Sequence, residues 1–191
     1  MICLDSTKPT RPLTAAEIGL SRTGLYRAAR TGRMERIARG LYLPPDATAA
    51  DHDLLEAASR RDDATVCLTS ALAHHDLTDT IPSALDIAIP RGARIPATDA
   101  PIDWHLFHAP TFDLGRTTIT IPGSTLTIGL YSPERSIADA FRLRHQLGYE
   151  LGTEALREWL RRGGKPARLI ELATQLPRTR TPLLTALEHL A

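Results

Sequence analysis

The chain has 191 residues, 42% of them hydrophobic and 24% charged, a balance that suits one ordinary folded domain with a small companion and excludes a disordered chain. The formal charge of +1 hides an asymmetry: residues 1–45 carry eight Lys/Arg against three Asp/Glu, and the remainder fifteen against nineteen, so only the N-terminal piece is expected to seek a polyanion. Cys3 and Cys67 make no disulfide framework and no run of eighteen apolar residues exists. The N-terminus also lacks the apolar core of an export signal, so a cytoplasmic setting without membrane insertion is expected.

Residues 1–13, with Pro9 and Pro12, read as an extended arm. Thr14 and Glu17 then form a capping box, with Leu13 and Ile18 at the positions of a hydrophobic staple, so a short helix starts there and ends at Gly19. Ser21 caps a second helix and Leu20 with Leu25 repeats the staple. On that helix Leu25, Ala28 and Ala29 share an inward face. Arg22, Thr23, Tyr26, Arg27 and Arg30 take the other side, where they can donate to phosphates or to guanine acceptors in a major groove. Gly24 costs the helix about 1 kcal/mol, and is expected to let the two helices approach closely.

Arg36–Ala38 and Leu41–Leu43 flank Arg39-Gly40 as a hairpin, with Gly40 supplying positive φ and Pro44-Pro45 closing it. Arg39 falls at the hairpin tip. Helix, turn, basic helix and basic hairpin together read as a winged helix-turn-helix for double-stranded DNA. The helix that normally precedes such a pair is shortened or absent, and Lys8 and Arg11 on the arm are alternative DNA contacts.

Beyond the prolines, Thr48 and Asp51 cap a helix running to about Arg61, with Leu54, Leu55 and Ala58 as its buried stripe. Ala64–Thr69 reads as a buried strand, after which Ser70 caps a helix over the residues that follow. Leu85–Ile89 alternates as a strand and leads into the basic turn Pro90–Arg94. Ile102–His108 reads as a further strand, and Thr117–Ile121 with Leu126–Tyr131 as a hairpin. From Ser132, which caps a helix with Pro133 in its first turn, the chain is helical, with further helices over 150–162, 165–176 and 181–190. The expected fold class is α+β: a winged helix over residues 1–46, then a mixed α/β domain over 47–191 with a C-terminal helical layer.

Catalytic patterns are weak. Gly123-Ser124 resembles the Gly-Ser of nucleotidyltransferases, but Asp86 is followed by Ala88 where a second metal-holding carboxylate belongs. Phosphate-binding loops and a GxSxG elbow are absent. His74 and His75 diverge on a helix and His105 and His108 point to opposite faces of a strand, so no metal or other cofactor is expected. Arg135 and Asp139, four apart on one helix, read as a bridge locking that helix in place, with a partner on another element.

Three stretches resemble the AbiEi family: SRTGLYRAARTGRMERIARGLYLPP, CLTSALAHHDLTDTIPSALDIAIPRGARIP, and YSPERSIADAFRLRHQLG with the following EALREWLRRG. The resemblance implies the antitoxin of a type IV toxin-antitoxin pair that represses its own operon by binding promoter inverted repeats. Its implied functional partner is a nucleotidyltransferase toxin, and stable contact with that toxin is not required. Carried over by position, the DNA face falls on Arg22, Thr23, Tyr26, Arg27, Arg30 and Arg39, and the antitoxin candidates are Arg91, Arg94, Arg135 and Asp139. The chain is expected to be non-enzymatic and to act as a monomer or as a dimer pairing on the operator. The alternative is a C-terminal domain that modifies the toxin or reverses its effect.

Overall fold

A computed structural model describes residues 11–44 and 51–190, all with side chains except Arg22. Contacts divide the chain into two compact units. One takes the chain up to Ala64 with two later returns, Ile95–Ile102 and Ile119–Ile128; the other takes Thr65–Arg94, Asp103–Thr118 and Gly129 onward.

The first unit begins with strand β1 (Leu13–Thr14), which leads without a linker into helix α1 (Ala15–Ile18). The capping box is present: Glu17 N–H donates to the Thr14 hydroxyl at 3.4 Å, and Thr14 N–H donates to the Glu17 carboxylate at 2.8 Å. Gly19 closes α1 in the left-handed region. Helix α2 (Arg22–Arg30) is capped by Ser21, whose Oγ accepts from Gly24 N–H at 3.2 Å. It ends with Gly32 at φ +69°, where Gly32 and Arg33 N–H groups take the Ala29 and Ala28 carbonyls.

Strands β2 (Glu35–Ala38) and β3 (Leu41–Leu43) form the expected hairpin, with Gly40 at φ +80°. The register slips between Arg36 and Ala38. β1 pairs antiparallel with β3, Leu13 opposite Tyr42 and Thr14 opposite Leu41, giving a three-stranded sheet of order β1-β3-β2. Leu13, read as arm, is therefore strand; its two-residue pairing is too short to leave an alternating pattern. Leu25 and Ala28 are buried as expected and Ala29 half-buried, whereas Leu20, expected to clasp Leu25, is 45% exposed. Gly24 is not a site of close helix approach: a Cβ there would meet only Leu20 and Ser21 at ordinary contact distances.

Helix α3 (His52–Arg60) is capped by Asp51, whose carboxylate accepts from Asp53 and Leu54 N–H. Thr48, like Lys8 and Pro45, lies outside the described residues. Leu55 and Ala58 are buried, Leu54 half-buried, and Glu56 on the same helix is fully buried.

The second sheet has the order β6-β5-β4-β8-β7, from β4 (Thr65–Val66), β5 (Leu85–Pro90), β6 (Ile102–Phe107), β7 (Arg116–Thr120) and β8 (Thr127–Tyr131). β4 runs antiparallel to β5 and parallel to β8. Helix α4 (Leu68–His74) starts two residues before Ser70, which corrects both the longer strand and the Ser70 cap. The reason is a long-range partner: Asp86 on β5 accepts from Ser70 N–H at 3.3 Å, and its own N–H donates to the Ser70 hydroxyl at 2.9 Å. A carboxylate from another element thus serves the first turn of α4.

Ser132 caps α5 (Pro133–Arg142) as expected. Every residue of α5 from Arg135 to Phe141 is buried, because α4, α7 (Tyr149–Arg161), α8 (Pro166–Thr174) and α9 (Arg180–Leu190) all pack on it. A short helix α6 (Arg144–Leu147) joins α5 to α7. The core here is Ile137, Ala140, Phe141, Leu156, Trp159, Leu169 and Leu183. Each large side chain in it contributes about 1.5–3 kcal/mol on burial.

Candidate nucleic-acid interface

Four residues of α2 share its outward side. Thr23, Tyr26, Arg27 and Arg30 are all exposed, and their spacing places them within about 100° of arc. Tyr26 is 69% exposed, a large aromatic left uncovered beside two guanidinium groups. The Arg22 side chain lies outside the described residues. Arg27 and Arg30 occupy the last turn, where cations suit the helix dipole.

Arg39 is exposed at the hairpin turn of the same unit. Unlike Arg11 and Arg36, the residues Arg27, Arg30, Arg33 and Arg39 lack a carboxylate partner: among the described residues none of the four forms an ion pair. Arg11, the alternative arm contact for DNA, forms an ion pair with Glu17. The Arg11 guanidinium, with the Thr14 N–H and hydroxyl, holds the Glu17 carboxyl down at about 2. Arg36 faces Asp99 at 3.1 Å.

The hairpin is held by a ring of polar contacts within its unit. The Arg39 carbonyl accepts from Arg60 at 3.0 Å, and Arg60 pairs with the buried Glu56 at 2.9 Å. Glu56 also accepts from Asp99 and Ala100 N–H at 3.1 and 2.8 Å, while the Asp99 carboxylate returns to Arg36 on β2. Buried Glu56 has its donors supplied on both carboxylate oxygens, as a buried charge requires. The reading from the residues missed it, since its main-chain partners lie more than forty positions away. It also passed over exposed Arg33, whose signal was the Thr31-Gly32 helix stop that turns the next residue outward.

The antitoxin candidates all lie in the other unit. Arg91 and Arg94 are exposed on the turn after β5, with Arg91 N–H donating to the Phe107 carbonyl at 2.6 Å. Arg135 and Asp139 are buried. Arg135 Nε donates to Asp139 at 2.7 Å, its Nη1 to the Thr111 and Leu114 carbonyls at 2.8 and 2.5 Å, and its guanidinium sits 4.2 Å from the Tyr131 ring centre. The expected partner on another element is thus the main chain before β7. Asp139 also holds Arg142 at 2.9 Å.

Other reactive side chains are engaged in packing. Ser70 bonds to Asp86, and Asp86 to His105 at 2.8 Å, so the hydroxyl meets a carboxylate and not an imidazole. Cys67 is fully buried, and burial pushes its thiol up, away from the reactive thiolate. Among the described residues, no three metal-ligating side chains converge and no helix is long and apolar enough to cross a membrane.

Residues 10–45 match the family model described as "Transcriptional regulator, AbiEi antitoxin". The segment with the AbiEi match is the one that holds the basic face of α2 and the hairpin. Comparison with curated proteins finds none that matches.

Proposed function

We propose that the α2 face and hairpin form a winged helix-turn-helix that binds inverted repeats in the promoter of the protein's own operon and represses it. One observation carries this reading: Thr23, Tyr26, Arg27 and Arg30 stand exposed on one helix face, with arginines that no carboxylate neutralises, inside the AbiEi-matching segment. The order strand, helix, turn, helix, hairpin supports it, since α2 then enters the major groove while Arg39 reaches a flanking phosphate or the minor groove. Two copies on a palindromic operator would sit about 34 Å apart, or a multiple of that.

We also propose that the protein is the non-enzymatic antitoxin of a nucleotidyltransferase toxin, with neutralisation assigned to the part of the chain after the hairpin.

Fluorescence anisotropy with the upstream DNA tests the first proposal. Binding should fall steeply with salt, and Arg27→Ala or Arg30→Ala should each weaken it by about 1–3 kcal/mol per base-reading contact. Unchanged affinity in the double variant would remove α2 from the interface. Co-expression of that full-length double variant with the neighbouring toxin tests the second. Continued rescue of growth places neutralisation outside the DNA reader, and loss of rescue by the folded variant places it within.

A further inference from the structure

Four segments of the second unit enclose a cleft of about 500 Å³. Arg91 comes from the turn after β5, His108 from the end of β6, Arg142 and Leu143 from the end of α5, and Pro177 and Arg178 from the turn before α9. Three arginines meet there, in a part of the chain where acids otherwise outnumber bases.

Two of them are built in ways that packing does not explain. Arg142 is fixed in advance, with Nε donating to Asp139 at 2.9 Å and Phe107 beneath the guanidinium at 4.9 Å, while Nη2 lies 2.8 Å from the same carboxylate oxygen. That Nη2 is buried and, among the described residues, makes no hydrogen bond. Arg178 stands at φ +62°, a left-handed conformation that costs any residue with a Cβ. Of the other non-glycine residues described there, Leu68 opens α4 and Asp76 closes it, but Arg178 closes no helix. Glycine or asparagine would fill such a turn at less cost, so what the position gains from arginine is its exposed guanidinium.

We propose that this cleft binds a nucleoside phosphate. Arg91 and Arg178 take the phosphate oxygens, as guanidinium forks do. Arg142 adds a donor whose side chain is already ordered, so little entropy is lost on binding. The Leu143 and Pro177 walls give a base the apolar contact that a bare phosphate would leave unused. The volume admits a single nucleotide, free or at the end of a strand. A second groove shares Arg178 and carries Arg144 and Arg180, an outlet for further phosphates. The inference is independent of DNA reading by α2.

Isothermal titration of the full chain near 0.15 M salt tests it, with ATP, GTP, CTP and UTP as free probes and a 5′-phosphorylated tetranucleotide as the strand probe. At least one should bind saturably with Kd below about 100 µM. The tighter class identifies the source. Arg91→Ala and Arg178→Gly should each weaken binding about tenfold or more, while Arg27→Ala leaves it unchanged. Arg178→Gly should also raise the thermal midpoint by about 2–4 °C as the strain is removed, which shows that lost binding is not lost folding. The proposal is overturned by no saturable binding up to about 2 mM, by wild-type binding in both cleft variants, by loss in Arg27→Ala, or by full displacement with equimolar inorganic phosphate.

Discussion

Arginine is used in opposite ways by α2 and α5. On α2, Arg27 and Arg30 stand exposed with no acid among the nine residues of the helix. On α5, Arg135 is buried on its own carboxylate, two main-chain carbonyls and an aromatic ring. The first arrangement leaves charge available to a partner at little cost in stability. The second spends the charge inside the molecule, where its removal would leave Asp139 short of a donor. The difference teaches that an arginine's role is read from its nearest carboxylate rather than from its charge.

The largest effect that would break this contrast is at Arg135. Arg135→Ala should destabilise the protein by about 3–5 kcal/mol in chemical denaturation, whereas replacing both Arg135 and Asp139 with apolar residues of similar volume should cost much less. If Arg135→Ala leaves stability unchanged, the two helices do not differ as described. Glu56→Ala comes next, at about 2–3 kcal/mol, because it strips an acceptor from the Asp99 and Ala100 N–H groups and from Arg60. The same variant should loosen the hairpin, seen as faster amide exchange at Arg39 and Gly40.

Arg27→Ala sharpens the contrast from the other side, since its effect belongs to DNA affinity and its stability should stay within about 0.5 kcal/mol of the parent. Gly24→Ala should raise stability by up to about 1 kcal/mol, for its Cβ meets only ordinary contacts. A loss there would mean that α2 packs more tightly at its start.

The smallest effect concerns pH. Burial lowers the His75 value below the usual 6.5, although its Nε2–H donates to the Tyr131 carbonyl at 2.8 Å. The unfolded chain therefore takes up this proton before the folded one does. Stability from this group is complete above pH 6.5 and declines as the pH falls below it. Denaturation midpoints between pH 8 and 5 should show the decline, and His75→Gln should flatten it.

Local signals were legible in the residues. Thr14 with Glu17, Ser21 and Ser132 announced helix starts because a cap reaches only two or three positions along the chain. The outward face of α2 followed from helical spacing for the same reason. Contacts that close over long loops were not legible. Asp86 serves the first turn of α4 from sixteen residues away, and nothing around Ser70 announces it. Glu56 looks like a surface residue until the Asp99-Ala100 main chain arrives over it. The pairing of Leu13 with Tyr42 was hidden likewise, since two strand residues carry no periodicity. For Arg135 the bridge was readable from its spacing to Asp139, but its carbonyl partners come from an irregular stretch with no recognisable pattern.

Thr14 belongs to two elements at once, pairing with Leu41 in the sheet and capping α1. No spare residue lies between them to absorb a change of length. One residue inserted after Thr14 would shift the helical phase by about 100°, and a deletion would shift it the other way. The angle between sheet and α1 is thus set by a single shared residue, and this joint tolerates substitution far better than it tolerates any change in the number of residues.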